Sequence, residues 1–406
     1  MATGARETGG RMTGHLSLAR IITFVVLTHA AFGAARVTSS LYALSNRAST
    51  FTVGVVMALF ALVPALLAVR AGRWLDRAGP YRPLLLGTAL MTSGALLPAL
   101  FPYATADVAP LLVAAALLGT GFMYVQMTAQ NLVGVLADPA RRPAAFSMLA
   151  LGFSTSGLIA PVTSGFMIDA IGHRATFAAV FVLLATSLAL LYTQRRRLPG
   201  PEAHAHARDA SDPFELMRHP DVRAVLIVSG LISMGWDMQS FLIPVYGNSI
   251  GLAASQIGLV LGSFAAATFT IRLAMPALAR RYREWQVLLF TLLVSATAFA
   301  LMPLFKSMVP LMAVAFLLGL GLGSAQPNVM SLLHDRSPKG RVGEALGLRT
   351  TIMNSSHVVL PLVIGAFGSV LGAAAGFWMM AVALGGGGWS ARRRLRLERP
   401  HRDRSS

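Results

Sequence analysis

The chain has 406 residues, of which 55% are hydrophobic and only 12% are charged, and its mean hydropathy is +0.63. Soluble domains carry about 25% charged residues, so this composition excludes an ordinary soluble protein and leaves no room for a separate soluble catalytic domain. The formal net charge of +18 indicates nucleic-acid binding only if the basic residues form a patch. The absence of cysteine excludes disulfides, thiolate metal sites and a cysteine nucleophile.

In chain order, twelve apolar runs are long enough for a membrane span, which needs about 20 residues. They cover 18–44, 52–71, 83–103, 108–136, 144–169, 175–193, 223–246, 252–275, 285–305, 308–333, 344–371 and 373–389. The first has no small-residue cleavage site and is therefore expected to be retained rather than removed as a signal peptide. The last contains four consecutive glycines, Gly385 to Gly388, and whether it crosses the membrane completely stays open. The predicted fold class is an all-α polytopic membrane protein.

The basic residues lie almost entirely on one side of these spans. With the N-terminus inside, the inner loops and both tails hold 29 of the 34 lysines and arginines, and the outer loops hold only Arg47, Arg174 and Lys306. Arg36 and Arg349 fall within spans or at their edges. Short cytoplasmic loops collect positive charge. We therefore expect both termini in the cytoplasm and the protein in the inner membrane, and the charge no longer indicates nucleic acid.

The longest polar stretch divides the chain into two bundles of six spans. The expected parts are an N-terminal bundle over 1–193, a cytoplasmic linker over 194–222, and a C-terminal bundle over 223–406 that ends in a basic tail. Within the linker, Asp212-Pro213-Phe214-Glu215 predicts a short surface helix to about Met217. His204 and His206 lack further ligands at a fixed spacing, so we interpret them as solvated linker residues rather than a metal site.

The second bundle repeats the first. At an offset of 200 residues, spans four and five match spans ten and eleven, and at an offset of 204, spans two and three match spans eight and nine. Matched pairs include Gly119 and Gly319, Gln126 and Gln326, Pro161 and Pro361, Gly165 and Gly365, Gly54 and Gly258, and Phe60 and Phe264. Six spans followed by six in the same orientation form a parallel repeat, which places a binding site near the midplane between the halves.

The loop after span two carries a motif with two glycines, an acid and adjacent bases. It resembles the signature loop of the major facilitator superfamily, and the matching residues are Gly72, Asp76, Arg77 and Gly79. Pro80 departs from the basic residue usual there, and Arg82 can supply that charge. The alternative is one more basic inner loop.

This resemblance implies a twelve-helix secondary transporter that uses an ion gradient and no other cofactor. It also implies that the loop latches the two halves on the cytoplasmic side, with Asp76 facing the start of span eleven near 343–346. The copy of the loop at 276–283 lacks both the acid and the glycines, so only the first-half latch is expected to be complete.

Span five contains a second motif, Ser156, Ala160, Pro161, Ser164 and Gly165. Its spacing is similar to the glycine and proline motif of the family's antiporters, which favours export. Small residues also allow close helix packing, and packing alone would produce the same pattern.

Charged side chains inside the bilayer cost several kcal/mol unless they are paired or hydrated, so they mark candidate sites. Arg36 and Asp237 are related at an offset of 201, so we expect them at nearly equal depth. The family resemblance implies that their spans, one and seven, both border the central cavity. They form a candidate pair for a substrate charge or a proton; the alternative is that they tie the halves together outside the cavity. Neutral polar residues and a histidine extend the candidate site: Gln126, Gln130, Asn131, Gln326, Asn328, Asn354 and His357.

No enzymatic motif accompanies these residues. Lys306 and Lys339 are the only lysines and neither belongs to a P-loop, and the chain has no HExxH or GxSxG sequence. The family resemblance and the polar residues in the spans together lead us to predict a monomeric, proton-coupled exporter of a small organic solute. The alternatives are an uptake symporter for an organic anion or metabolite, which Arg36 would suit, and a membrane sensor that no longer transports.

Overall fold

The computed structural model describes residues 18–101, 108–136, 142–195, 198, 213–337 and 342–397. In these ranges the regular structure is helical. The α-helices are α1 Leu18–Ser45, α2 Thr50–Ala78, α3 Tyr81–Leu100, α4 Ala109–Leu136, α5 Arg142–Thr193, α6 Pro220–Ser249, α7 Ala254–Arg281, α8 Glu284–Leu301, α9 Met308–Gly323, α10 Ala325–Arg336, α11 Val342–Leu371 and α12 Ala373–Leu397. The predicted all-helical membrane fold is confirmed.

Ten stretches in the described residues are long and apolar enough to cross a membrane. One of them, Met148–Thr193, contains two predicted spans, because Gly172 inside α5 has φ 79° and interrupts the helix. Another, Met308–Leu333, combines α9 and α10. The glycine-rich twelfth run is not among the ten, although α12 is helical over Ala373–Leu397.

The helix bundle has two ends, the far end and the linker end. The far end carries the α1–α2 connection at 46–49 and the α6–α7 connection at 250–253. The linker end lies opposite and carries the start of α1, the end of α5 and the start of α6. From the charge distribution we expect the far end outside the cell and the linker end in the cytoplasm.

The two far-end connections are structural copies of each other. Arg47 with φ 59° and Gly251 with φ 80° occupy equivalent positions at offset 204. Ala48 N–H donates to Ala43 C=O at 3.1 Å, and the equivalent bond from Leu252 to Gly247 is 2.9 Å. The offset of 204 therefore extends back into α1 and α6.

This register corrects the expected depth of the charged pair. At offset 204 the residue equivalent to Arg36 is Ser240, and the residue equivalent to Asp237 is Gly33. Three residues of helix correspond to about 4.5 Å along the axis. Asp237 therefore lies about one helical turn nearer the linker end than the position equivalent to Arg36, and the expectation of an offset of 201 is wrong.

The halves contact each other where α2 packs on α11, α5 on α7, and α1 on α6. In the first crossing a Cβ on Gly54 would collide with the carbonyl oxygen of Pro361. In the second a Cβ on Gly258 would collide with the carbonyl oxygen of Pro161. The two crossings are copies of each other, so the repeat seen in the sequence also organises the interface between the halves.

Among the glycines whose surroundings the structure describes, those that touch the opposite half lie in the far-end parts of their helices. They are Gly54, Gly165, Gly258, Gly262, Gly365 and Gly368. Pro161 and Gly165 of the span-five motif belong to this contact, since a Cβ on Gly165 would meet the Ala254 carbonyl oxygen. The packing interpretation accounts for these two residues. The halves are thus closed against each other at the far end.

A carboxylate adds a polar contact to this closure. Asp169, near the far end of the first part of α5, accepts hydrogen bonds at the N-terminus of α7 in the other half. Ala254 N–H donates to its Oδ1 at 3.1 Å, and Ser255 N–H donates to its Oδ2 at 2.9 Å. A negative charge at a helix N-terminus is stabilising, so Asp169 strengthens the α5–α7 crossing.

The predicted short helix before the second bundle is present as a 3-10 helix, Pro213–Arg218. Leu216 is fully buried, and the segment packs on α6 and α11. It is therefore a docked element rather than a purely surface one. His204 and His206 lie outside the described residues.

Candidate functional site

An acid and a histidine meet between α6 and α11. The Nδ1 atom of His357 lies 2.5 Å from Oδ1 of Asp237, and the two side chains are 34% and 7% exposed. The other carboxylate oxygen, Oδ2, is buried and has no hydrogen-bond partner. The sequence named both residues as candidates, and the structure brings them together.

The repeat has no counterpart of this pair in the first half. The equivalent positions are Gly33 and Gly157. A Cβ on Gly157 would have no neighbouring atom within 4 Å, and one on Gly33 would touch only Ala160. The ionisable pair is therefore a feature of the second half alone.

Arg36 does not bond to Asp237, which corrects the expected direct pair. Its guanidinium carbon lies 5.9 Å from the ring centres of both Phe32 and Phe60, and its buried Nε has no hydrogen-bond partner. Asp237 lies about one helical turn away from the position equivalent to Arg36, and Oδ1 of Asp237 is in contact with His357 instead.

Arg36 stands beside one of two aromatic pairs that are related by the repeat. Phe32 and Phe60 pack edge to face with ring centres 5.6 Å apart and an interplanar angle of 80°. Their equivalents at offset 204, Trp236 and Phe264, do the same at 5.1 Å and 84°. Each half thus presents an equivalent pair of perpendicular rings.

Arg272 of α7 lies beside the second aromatic pair, Trp236 and Phe264. Its guanidinium carbon lies 5.8 Å from the Trp236 ring centre, and its Nη1 donates to Ser154 Oγ of α5 at 2.5 Å. The count of lysines and arginines on each side of the spans placed Arg272 among the inner-loop residues. This was wrong, because Arg272 lies inside the candidate span Ala254–Met275. Its position within the predicted run 252–275 was the signal that could have identified it.

A further cluster of rings continues the aromatic surface within the first half. Phe122 of α4 stacks on Phe32 at 4.0 Å. His29 lies 5.4 Å from Phe122 and 4.9 Å from Phe153. His29 Nδ1 is also 2.6 Å from Ser156 Oγ, so this histidine links α1 to α5.

The neutral polar candidates differ in their surroundings. Gln126 and Asn354 are half-buried, whereas Gln130, Asn131 and Gln326 are exposed. Asn328 is buried and its amide donates to Ser324 C=O within the same chain segment at 2.8 Å. Gln126 and Gln326 occupy equivalent positions but not equivalent environments, so a symmetric contact from both central helices does not form in this state.

The signature loop is described only in part. Gly72 lies in α2, and Gly79 ends that helix with φ 70°, a left-handed conformation that glycine adopts without strain. Arg82 is exposed in the first turn of α3. The side chains of Asp76 and Arg77 lie outside the described residues, so the cytoplasmic latch stays a prediction. In the described part of the chain no three acidic or histidine side chains cluster as a metal site would require.

Comparison with known proteins identifies the family. The model of the family described as the Major Facilitator Superfamily matches residues 21–229 and matches a second time at 225–406. The chain belongs to the major facilitator superfamily. It is a multi-pass membrane transporter rather than an enzyme, as the sequence predicts.

Individual relatives of this superfamily member are distant in sequence. Multidrug resistance protein 1 of Bacillus subtilis (strain 168) is 22% identical over 316 residues, which cover 77% of this chain and 79% of the relative. A POT family transporter in complex with 5-aminolevulinic acid superposes with a TM-score of 0.73 at 13% identity, covering 90% of this chain and 93% of that one.

The peptide transporter POT in complex with sulfate gives a TM-score of 0.73 at 16% identity and covers 93% of each chain. At these identities the structural likeness establishes the shared fold.

Proposed function

We propose that this transporter exports a small organic solute across the inner membrane in exchange for protons, with Asp237 and His357 as the proton site. The bundles 1–193 and 223–406 act as the two rocking units of a monomer whose termini are cytoplasmic. The observation that carries the proposal is the contact between Asp237 and His357.

A carboxylate is costly inside a bilayer unless it is paired. Asp237 is almost completely buried, and one of its oxygens has no partner. A carboxylate and an imidazole in contact can hold a proton between them and pass it on when their surroundings change. The free Oδ2 offers a second acceptor to water or to the solute. The pair is therefore suited to bind a proton in one state of the transporter and release it in the other.

The pair is also suitably placed for alternating access. It joins α6 to α11, and α11 forms one of the two far-end crossings through Pro361. A rocking motion that opens the far end must separate α2 from α11. Such a motion changes the environment of His357 and can couple protonation to the exposure of the site.

Export is favoured over import by the distant multidrug resistance relative. Uptake of an organic anion with protons is the second candidate, supported by the buried, unpartnered Nε of Arg36. A transporter of the same fold has been solved with sulfate, an anion.

The test is flux in proteoliposomes with an imposed pH gradient, first over a library of drugs and metabolites to find a transported solute. We expect D237N and H357Q to lower gradient-driven flux at least about tenfold, while exchange of labelled for unlabelled solute persists. D335N, which changes an exposed acid in α10, is the matched control. Gradient-driven flux at the wild-type rate in D237N would remove the pair from the coupling role, and the direction of the effective gradient separates export from uptake.

A further inference from the structure

The interior of the transporter contains an excess of positive charge. Arg36, Arg272 and Arg349 all lie in membrane-spanning segments and are half-buried. Asp237 is the carboxylate that the structure describes in the middle of these spans, and it is already in contact with His357. Among the described residues no acid forms an ion pair with any of the three guanidinium groups, although the charge of Asp237 attracts Arg36 through space.

The hydrogen bonds that hold these arginines come from neutral groups. Arg272 Nη1 donates to Ser154 Oγ at 2.5 Å, and Arg349 Nε donates to Ser229 Oγ at 2.8 Å. Arg36 Nε has no partner at all. A guanidinium has five N–H donors and is always charged, so one hydroxyl leaves most of its hydrogen-bonding capacity free for a ligand.

Two of the arginines are placed similarly with respect to the aromatic rings. Arg36 lies 5.9 Å from Phe32, and Arg272 lies 5.8 Å from Trp236. Phe32 and Trp236 are equivalent positions of the repeat, so the two guanidinium groups stand at the same aromatic layer, one in each half. The arginines themselves come from non-equivalent helices, α1 and α7, so the duplication alone does not explain the arrangement.

We propose that the transported solute is an organic anion with a flat apolar part, and that Arg36 and Arg272 receive its negative charge. This rests on the proposed transport function and names the solute class of the same site. A carboxylate, sulfonate or phosphate group satisfies the free guanidinium donors, and arginine binds such groups in a bidentate geometry. The edge-to-face rings beside each guanidinium accept the apolar part. A cationic solute would be repelled by both guanidinium groups.

A binding measurement tests the charge preference without any ion gradient. Three probes of nearly equal shape are naphthalene-2-carboxylate, the neutral naphthalene-2-carboxamide and the cationic naphthalen-2-ylmethylamine. Purified protein in detergent is titrated with each probe, with tryptophan fluorescence and the melting temperature as readouts. We expect the carboxylate to bind at least about tenfold more tightly than the amide, and the amine to bind more weakly still.

Variants locate the effect in the two arginines. R36Q and R272Q should each lower the affinity for the carboxylate about tenfold while leaving that for the amide unchanged. R47Q, at the exposed far-end connection, is the matched control. R36K and R272K keep the charge and provide folded variants if the glutamine forms do not fold; they should retain part of the preference.

The proposal fails if the amide or the amine binds as tightly as the carboxylate, if the carboxylate does not bind up to millimolar concentration, or if both arginine substitutions leave the preference intact. These outcomes are independent of proton coupling. Anion binding without gradient-driven flux would contradict only the proposed proton-coupled transport. Gradient-driven flux of a neutral or cationic solute would contradict only the proposed solute class.

Discussion

His357 on α11 lies 2.5 Å from Asp237 on α6, and this contact connects the helix that forms a far-end crossing to the helix that carries the buried acid. Asp237 is therefore paired with His357 and not with Arg36, the partner that the spacing in the sequence favoured. The two possible pairings predict different coupling energies between substitutions.

Double-mutant cycles distinguish these pairings. The stability effects of D237N and H357Q should be coupled by about 0.5–3 kcal/mol, as is usual for residues in contact. The coupling between D237N and R36Q should be smaller, because no hydrogen bond joins those side chains. Chemical unfolding of the purified variants in detergent measures both cycles. A larger coupling to Arg36 than to His357 would mean that the carboxylate points to α1 in the membrane.

The close helix crossings at Gly54 and Gly258 predict that adding a single methyl group at either glycine destabilises the closed far end. G54A and G258A place a Cβ against a backbone carbonyl of the opposite half, and overpacking of this kind costs about 1–3 kcal/mol. We expect both variants either to melt several degrees lower or to favour a state with the far end open. G157A is the matched control, because a Cβ there meets nothing within 4 Å.

Thermal unfolding and the reactivity of an engineered cysteine at the interior position Ser240 measure these two responses. If G54A and G258A match G157A in both measurements, the crossings are not close-packed.

Asp169 predicts an electrostatic contribution to far-end closure. Removing a side-chain acceptor from a helix N-terminus costs about 1 kcal/mol, so D169A should raise the population of the open far end about fivefold. A maleimide that cannot cross the membrane should then label S240C faster from the far side. D335N, at an exposed acid near the linker end, should leave the rate unchanged. An unaltered rate in D169A would show that the backbone crossings alone hold the far end closed.

The charge distribution predicts which end faces outward. Because the chain contains no cysteine, single cysteines can be placed at exposed positions of the two ends. S249C at the far end should react only with reagent added outside the cell, and S390C in α12 should react only after the reagent reaches the cytoplasm. Reaction of S390C from outside would contradict the orientation.

Most of the fold was predictable from the sequence because each span had to supply its own run of apolar residues. The break at Gly172 follows from the same reasoning, since a single glycine with positive φ separates two predicted spans. The repeat was equally visible. Its register near the N-terminus was harder to determine, because α1 and α6 share few residues and an offset of 201 could not be told from 204 without the far-end turns.

The site was only partly predictable. Asp237 and His357 were both candidates, but no spacing along the chain shows that α6 and α11 bring them into contact. Arg272 was assigned to a loop because it lies close to a run of arginines, and its long side chain reaches Ser154 in the other half. Contacts between separate helices depend on packing, which the sequence pattern of either helix does not contain.

The two glycines at the repeat positions equivalent to Asp237 and His357 have a thermodynamic consequence. In a perfectly duplicated protein, exchanging the roles of the two halves would convert the inward-facing state into the outward-facing state at no cost in free energy. With Gly33 and Gly157 in one copy and Asp237 and His357 in the other, that exchange is no longer neutral. The resting preference for one side of the membrane then depends on the chemical state of the second copy. If that copy is the proton site proposed above, binding a proton there changes the balance between the two states, while the first copy contributes no such response.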